Sequence, residues 1–201
     1  MNVSETPVSA RVRSRLATRQ RLLDSGRNLF AVRGLHKVTT HDIAHGAGVA
    51  AGTFYLHFSD KEAMFREIAY DGIDRLRDRL QEAMDSADDI KSAVRAHAEA
   101  LIAFAEAVSD LVGMLFGRDH GAAELESEIL DYSASTLAGA LLQRRSEGTL
   151  PPELDPEVTA QAMTGMLSRT VAWWIEDPTR AQRESLIRTI IGIQLGGTYT
   201  D

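Results

Sequence analysis

Between Thr39 and Lys61 the chain sets out hydroxyls, imidazoles and an ammonium at short intervals: Thr39, Thr40, His41, Thr53, Tyr55, His57 and Lys61. Donors of this kind suit phosphate oxygens, and a threonine hydroxyl can also bond a base edge. Catalytic groupings are not evident. No phosphate-cradling glycine loop, nucleophile elbow, zinc-binding H-E-x-x-H or carboxylate pair stands in a supporting context, so no catalytic residue is assigned. The chain has no cysteine, which excludes disulfides, thiolate metal sites and cysteine nucleophiles. His97, Asp119 and His120 lack a metal-ligand spacing, and neither metal nor cofactor is expected.

Two short helices must present those donors. Thr39 is a good N-cap and Asp42, three positions on, completes an acidic capping box, which predicts a helix from Thr40 with Ile43 and Ala44 inward. Gly46 and Gly48 are expected to end it through left-handed backbone. Val49 plugs a tight turn, and a second helix is predicted over 50–57. In it Phe54, with Phe58 just beyond, packs inward, while Ala50, Ala51, Gly52, Thr53, Tyr55, Leu56 and His57 face out. This is a helix-turn-helix pattern, whose second helix fits the major groove of double-stranded DNA.

Gly34, Thr39, Thr40, Ile43, Ala44, Ala47, Gly48, Val49, Gly52, Thr53, Tyr55, His57, Phe58, Lys61 and Glu62, preceded by Leu22, Leu23, Leu29 and Phe30, stand in a recurring register. Over roughly a quarter of its length the chain thereby resembles the tetracycline-repressor (TetR) family. The resemblance implies that Thr40 and His41 approach an operator while Tyr55, His57 and Lys61 hold its backbone. It also implies a homodimer on a palindromic operator, released when the body binds a small effector. Repression is the expected direction, because a dimer across a promoter blocks polymerase without further contacts. The alternatives are an activator of the same fold, or a helical small-molecule-binding protein or enzyme with a vestigial helix-turn-helix. Ala50-Ala51 departs from the Ser-Lys or Ser-Arg of many relatives and removes a bidentate partner for guanine.

Charge divides the chain in the same sense. Residues 1–66 carry a net +5 and residues 67–201 a net −12, within an overall −7, so the basic end is the one with the helix-turn-helix. The organisation expected is a DNA-binding domain over 11–60 and an effector-binding and dimerisation domain over 61–201. No apolar run reaches membrane-spanning length and no secretory leader is visible, so the expected location is the cytoplasm, with no membrane partner. Residues 1–10 are expected to be disordered, with Arg11, Arg13 and Arg15 forming a basic arm that either frays in solvent or lies along a phosphate backbone or in a minor groove, fraying being the reading preferred.

Helical spacing continues to the end, and the fold class expected is all-α, with about nine helices. Leu22, Leu23, Gly26, Leu29 and Phe30 define the first, stopped at Gly34, with Gly26 admitting a close neighbour. The S-x-x-E of residues 59–62 predicts a capping box opening a long helix that acts as a rod between head and body. Further helices are predicted over about 88–109, 111–116 and 122–145, with Asp155-Pro156 and Asp177-Pro178 opening two more. Gly196 and Gly197 are expected to end the last.

Candidate effector contacts are His97, Leu101, Phe104, Met114, Phe116, Tyr132, Met163, Met166, Arg169, Val171 and Trp173, a largely apolar lining that suits a flat aromatic or acyl-type molecule. His97 interrupts an apolar stripe, which fits either a core histidine bonded to a neighbour or a ligand-orienting group. The last helix carries two apolar stripes, Leu186, Ile190 and Ile193 beside Ile187, Ile191 and Leu195. The second is expected to meet another chain, giving an interface of Val158, Ala162, Leu186, Ile187, Ile190, Ile191 and Gln194.

Overall fold

The computed structural model describes residues 10–116 and 123–198. Helices account for all its regular structure, with no strand among the described residues. These are α1 (Ala10–Arg33), α2 (Thr40–Gly46), α3 (Ala51–Phe54), α4 (Lys61–Asp85), α5 (Ile90–Ala107), α6 (Ser109–Phe116), α7 (Ala123–Ser146), α8 (Pro156–Glu176) and α9 (Arg183–Thr198), with a 3-10 turn at Pro178–Arg180. The chain forms two compact units that divide between Ile68 and Ala69. That division lies inside α4, later than the 60/61 boundary expected, because Met64, Phe65 and Ile68 belong to the core of the first unit.

That core is built from α1 to α4. Leu22, Phe30, Val38, Ile43, Phe54, Met64 and Phe65 are fully buried, and the rings of Phe30 and Phe65 meet edge to face at 5.4 Å. A Cβ on Gly26 would lie 2.6 Å from Sδ of Met64, so this glycine does admit α4. Gly34 (φ 75°) stops α1 and Gly48 (φ 66°) turns the chain after α2. Gly46 does something else. It stays inside α2, where a Cβ would lie 2.4 Å from Oγ of Ser25, which donates to the Ile43 carbonyl at 2.9 Å. α1 also begins at Ala10, so Arg11, Arg13 and Arg15 stand on helical turns and not on a frayed arm; residues 1–9 lie outside the described residues.

Two capping expectations shift by a residue or more. α4 is capped by Asp60, whose Oδ1 accepts from the Ala63 amide at 2.6 Å, because the Ser59 hydroxyl is engaged with Asp60 itself. After α8, Asp177-Pro178 opens only the 3-10 turn. The Trp174 indole holds the Ala181 carbonyl at 2.9 Å with Ala181 extended (φ −153°), so α9 waits until Arg183. It then runs through Gly196 and Gly197 to Thr198, since neither glycine interrupts it.

The second unit packs α5 against α8 and α9 around Ala98, Leu101, Ile102, Ala105, Val171, Trp174, Leu186, Ile187, Ile190 and Ile191. Leu141, Leu150 and Ala160 form a smaller cluster where α7 meets α8. Asp155 caps α8 through the Glu157 and Val158 amides, as Asp89 caps α5 through Ser92.

Candidate nucleic-acid interface and effector site

The head displays its site through local hydrogen bonds. Thr39 Oγ1 accepts from the Asp42 amide at 3.1 Å while Asp42 Oδ2 accepts from the Thr39 amide at 3.0 Å, so the capping box is complete. The Thr39 hydroxyl also donates to Asp42 Oδ2 at 2.7 Å, and that bond first, then the one from the Thr39 amide, holds the Asp42 carboxyl below its ordinary range. α3 is one turn long, shorter than expected. Leu56 and His57 bond back to the Thr53 and Phe54 carbonyls three residues behind, which tightens the chain into a turn over 55–57.

Ala50, Ala51 and Gly52 are exposed, Tyr55 is 61% and Leu56 70% exposed, and Thr53 is half-buried, while Phe54 and Phe58 point inward. Thr40 is half-buried and His41 exposed beside them. The Thr40 and Tyr55 hydroxyls pair at 3.0 Å. One such bond uses one hydrogen of two, leaving an O–H free to donate to a phosphate oxygen.

Lys61 is placed differently from the expectation. Its ammonium donates to the carbonyls of Leu35 at 2.8 Å, Val38 at 2.9 Å and His36 at 3.3 Å, so all three hydrogens clamp the loop between α1 and α2. His57 departs in part. Burial, with Arg15 and Arg19 nearby, pushes its imidazole below the usual histidine range, and its buried Nδ1 has no partner. Arg19 is locked on both oxygens of Glu67 and sits over the Phe58 ring at 4.7 Å. The exposed cations Arg33 and Lys37 flank the Thr39 cap and were not singled out from sequence; their nearness to the capping box was the available signal.

In the body, Leu101, Phe104 and Val171 are buried, and Trp173 packs against the core that holds Leu101 and Val171. The Phe104 ring lies under the Arg79 guanidinium at 5.6 Å, and Trp173 under Arg180 at 5.6 Å. Phe116, Met163 and Met166 are half-buried; the Met114 side chain, Asp119 and His120 lie outside the described residues. Arg169 is exposed, on the outer side of α8, and so is corrected from the lining. His97 is largely buried with Nδ1 unpartnered, and burial alone pushes its imidazole below the ordinary range. The neighbouring carbonyl or acid expected of a core histidine does not reach that nitrogen. A cavity of about 470 Å3 opens elsewhere, lined by Asp89, Lys91, Ser92, Arg95, Ile191 and Leu195. Among the described residues no three His, Asp or Glu side chains are grouped to hold a metal, and no helix is long and apolar enough to cross a membrane.

The interface residues also need correction. Leu186, Ile187, Ile190, Ile191 and Gln194 are already buried within the subunit, because Leu186, Ile187, Ile190 and Ile191 of the two α9 stripes join the core built with α5 and α8. Val158 (68% exposed) and Ala162 remain on the surface, in line with Gly165 on α8, and Ile193 (52% exposed) stands with Thr189 and Gly192 on α9.

Residues 22–68 match the family profile "Bacterial regulatory proteins, tetR family". Over 185 residues the chain is 28% identical to the HTH-type transcriptional regulator YdgC of Bacillus subtilis, covering 88% of this chain and 92% of that one. It is 29% identical to the HTH-type transcriptional repressor KstR2 of Rhodococcus jostii over 78% of this chain and 79% of the other. The structure of the regulator FadR from Bacillus subtilis in complex with stearoyl-CoA superposes with a TM-score of 0.71 at 21% identity, over 90% of this chain and 99% of that one.

Proposed function

The chain is a transcriptional regulator of the TetR family, and from that premise we propose that it is a homodimeric repressor that grips a palindromic operator through α3 and leaves it when the body binds a small, largely apolar effector. Regulation, not catalysis, is the work of this family. The observation that carries the reading is the outward face of the head: a four-residue helix whose Ala50, Ala51 and Gly52 are open to solvent, beside a hydroxyl pair with a donor to offer. Thr39, Thr40, His41, Thr53, Tyr55 and Leu56 are the contacts proposed. The charge of Lys61 acts here through the loop it fixes, and Arg11, Arg15, Arg33 and Lys37 supply exposed cations.

One head with so few base contacts gains useful specificity only when a two-fold axis doubles it. The exposed line of Val158, Ala162 and Gly165 on α8, with Thr189, Gly192 and Ile193 on α9, is the interface proposed. For the effector, the proposed contacts are His97, Phe104, Phe116, Tyr132, Met163, Met166 and Trp173, and the ligand class is an acyl thioester of the kind held by the Bacillus subtilis FadR. His97 supports this: a buried imidazole whose Nδ1 has no partner can orient a carbonyl or hydroxyl from an apolar wall.

The test is binding of the full chain to duplexes selected from a random pool, across a salt series, with and without stearoyl-CoA. A symmetric bound sequence, steep salt dependence and release by the thioester are expected. Salt-independent binding, or a monomer by light scattering with tight DNA binding intact, would refute the reading.

A further inference from the structure

The outward face of α3 is unusual in what it lacks. From Gly46 to Ser59 there is no Arg, Lys, Asn, Gln, Asp or Glu, the side chains that pair in bidentate fashion with guanine or adenine or accept from cytosine. The imidazole of His57 is half-buried, and the one hydrogen that the Thr40–Tyr55 hydroxyl pair leaves free is the one assigned above to a phosphate oxygen. What remains at the surface is carbon: the methyls of Ala50 and Ala51 and a leucine, Leu56, left 70% exposed although the head has an apolar core to bury it in. Among base edges in the major groove, one feature is aliphatic, the C5 methyl of thymine.

Gly52 adds an independent observation. Its φ is not in the left-handed region, and a Cβ built on it would meet nothing within 4 Å, so neither backbone strain nor internal packing requires a glycine there. A glycine on an exposed helical turn that the fold does not need fits a close approach of backbone to an external partner.

We propose that this head reads its operator chiefly through thymine methyl groups. Ala50, Ala51 and Leu56 form the apolar contact, and Gly52 lets the α3 backbone come close enough for the small alanines to reach. Thr53, with both a methyl and a hydroxyl, contributes from the edge of the same face. The inference rests on the DNA-binding reading above and specifies the chemistry of its ligand: half-sites rich in A·T pairs, with thymines at the positions facing α3.

The experiment uses the full chain without effector. Duplexes are selected from a random pool, and in a selected duplex each thymine is replaced singly by deoxyuracil, which removes the methyl group and keeps Watson–Crick pairing. At one or more thymines per half-site the expected loss is about fourfold, the factor for burying one carbon group. Leu56→Ala should flatten that response at one of these thymines. Gly52→Ala should weaken operator binding at least about tenfold, the range of a lost specific contact, while the free protein melts no lower than the parent. Selected half-sites without thymine would overturn the proposal, as would deoxyuracil substitutions that all leave affinity within about twofold, a change smaller than one methyl contact. A chain that selects no sequence and binds duplex without salt dependence would bring down the DNA-binding reading itself.

Discussion

Tyr132 on α7 donates its phenolic hydrogen to Oδ1 of Asp74 on α4 across 2.8 Å, and Arg77 donates to the same oxygen at 2.9 Å. The Tyr132 ring also meets Tyr70 edge to face at 5.1 Å, and two residues further along α4 a Cβ on Gly72 would lie 2.9 Å from Leu111 of α6. The stretch of α4 just past the division at Ile68 is therefore held by two other helices of the body. Any rearrangement of α7 on effector binding has a direct hydrogen bond through which to act on α4.

That bond, first, and then burial push the phenol above its ordinary value. A raised phenol means stability that is intact below the ordinary tyrosine range and lost as pH rises through the folded value. Ultraviolet titration should find one tyrosine ionising later than the rest, and Asp74→Asn should bring it back toward the others. Tyr132→Phe should leave operator binding intact and blunt the release caused by effector.

Lys61 is expected to act on folding. Lys61→Met removes three hydrogen bonds from one charged group, and the free protein should lose roughly 2–3 kcal/mol in denaturant unfolding. A lysine that served phosphate alone would leave unfolding unchanged and lower only the salt dependence of binding.

Gly46→Ala places a methyl against the Ser25 hydroxyl, a short side chain tied to the Ile43 carbonyl with little freedom to move. The overpacking should cost about 1–3 kcal/mol. Combining it with Ser25→Ala should cost less than the sum of the two single changes, since the second removes the atom the first collides with.

The two histidines with lowered pKa set a pH dependence. A folded value below the unfolded one means the unfolded chain takes up protons first, so stability is complete above the ordinary histidine range, near 6.5, and falls as pH drops below it. Unfolding measured from about pH 7.5 to pH 5, a span set by the ordinary histidine value, should show this loss. His97→Leu should flatten most of it, and the His97 and His57 resonances should titrate below those of exposed histidines.

Arg11 and Arg15 lie one turn apart on the stripe of α1 that carries Arg19 to the Phe58 ring, and neither has an acidic partner among the described residues. If both meet phosphate, Arg11→Gln with Arg15→Gln should lower the slope of log K against log salt by about 2 and weaken all duplexes alike. An unchanged slope would place these residues off the DNA.

What could be read without coordinates was whatever neighbours in sequence decide. The Thr39–Asp42 box, the Asp155-Pro156 start of α8 and the turn at Gly48 are each settled within four residues, because caps and turns satisfy backbone groups with side chains a few positions away. The helical periods, and with them the all-α class and the outward placing of Ala50, Ala51, Tyr55 and Leu56, follow from the same short-range rule. Residues whose role depends on what arrives from elsewhere were not legible in this way. Lys61 turned from phosphate to the carbonyls of a loop some 25 positions earlier, Gly46 answered to Ser25 on another helix, and Arg169 faced outward from an apolar stretch. The first two residues of each α9 stripe went into the core with α5 and α8 while Ile193 stayed exposed, because how much of a helix is covered depends on how many helices pack around it. Periodicity marks which faces are apolar, and only the tertiary packing decides what lies against each of them.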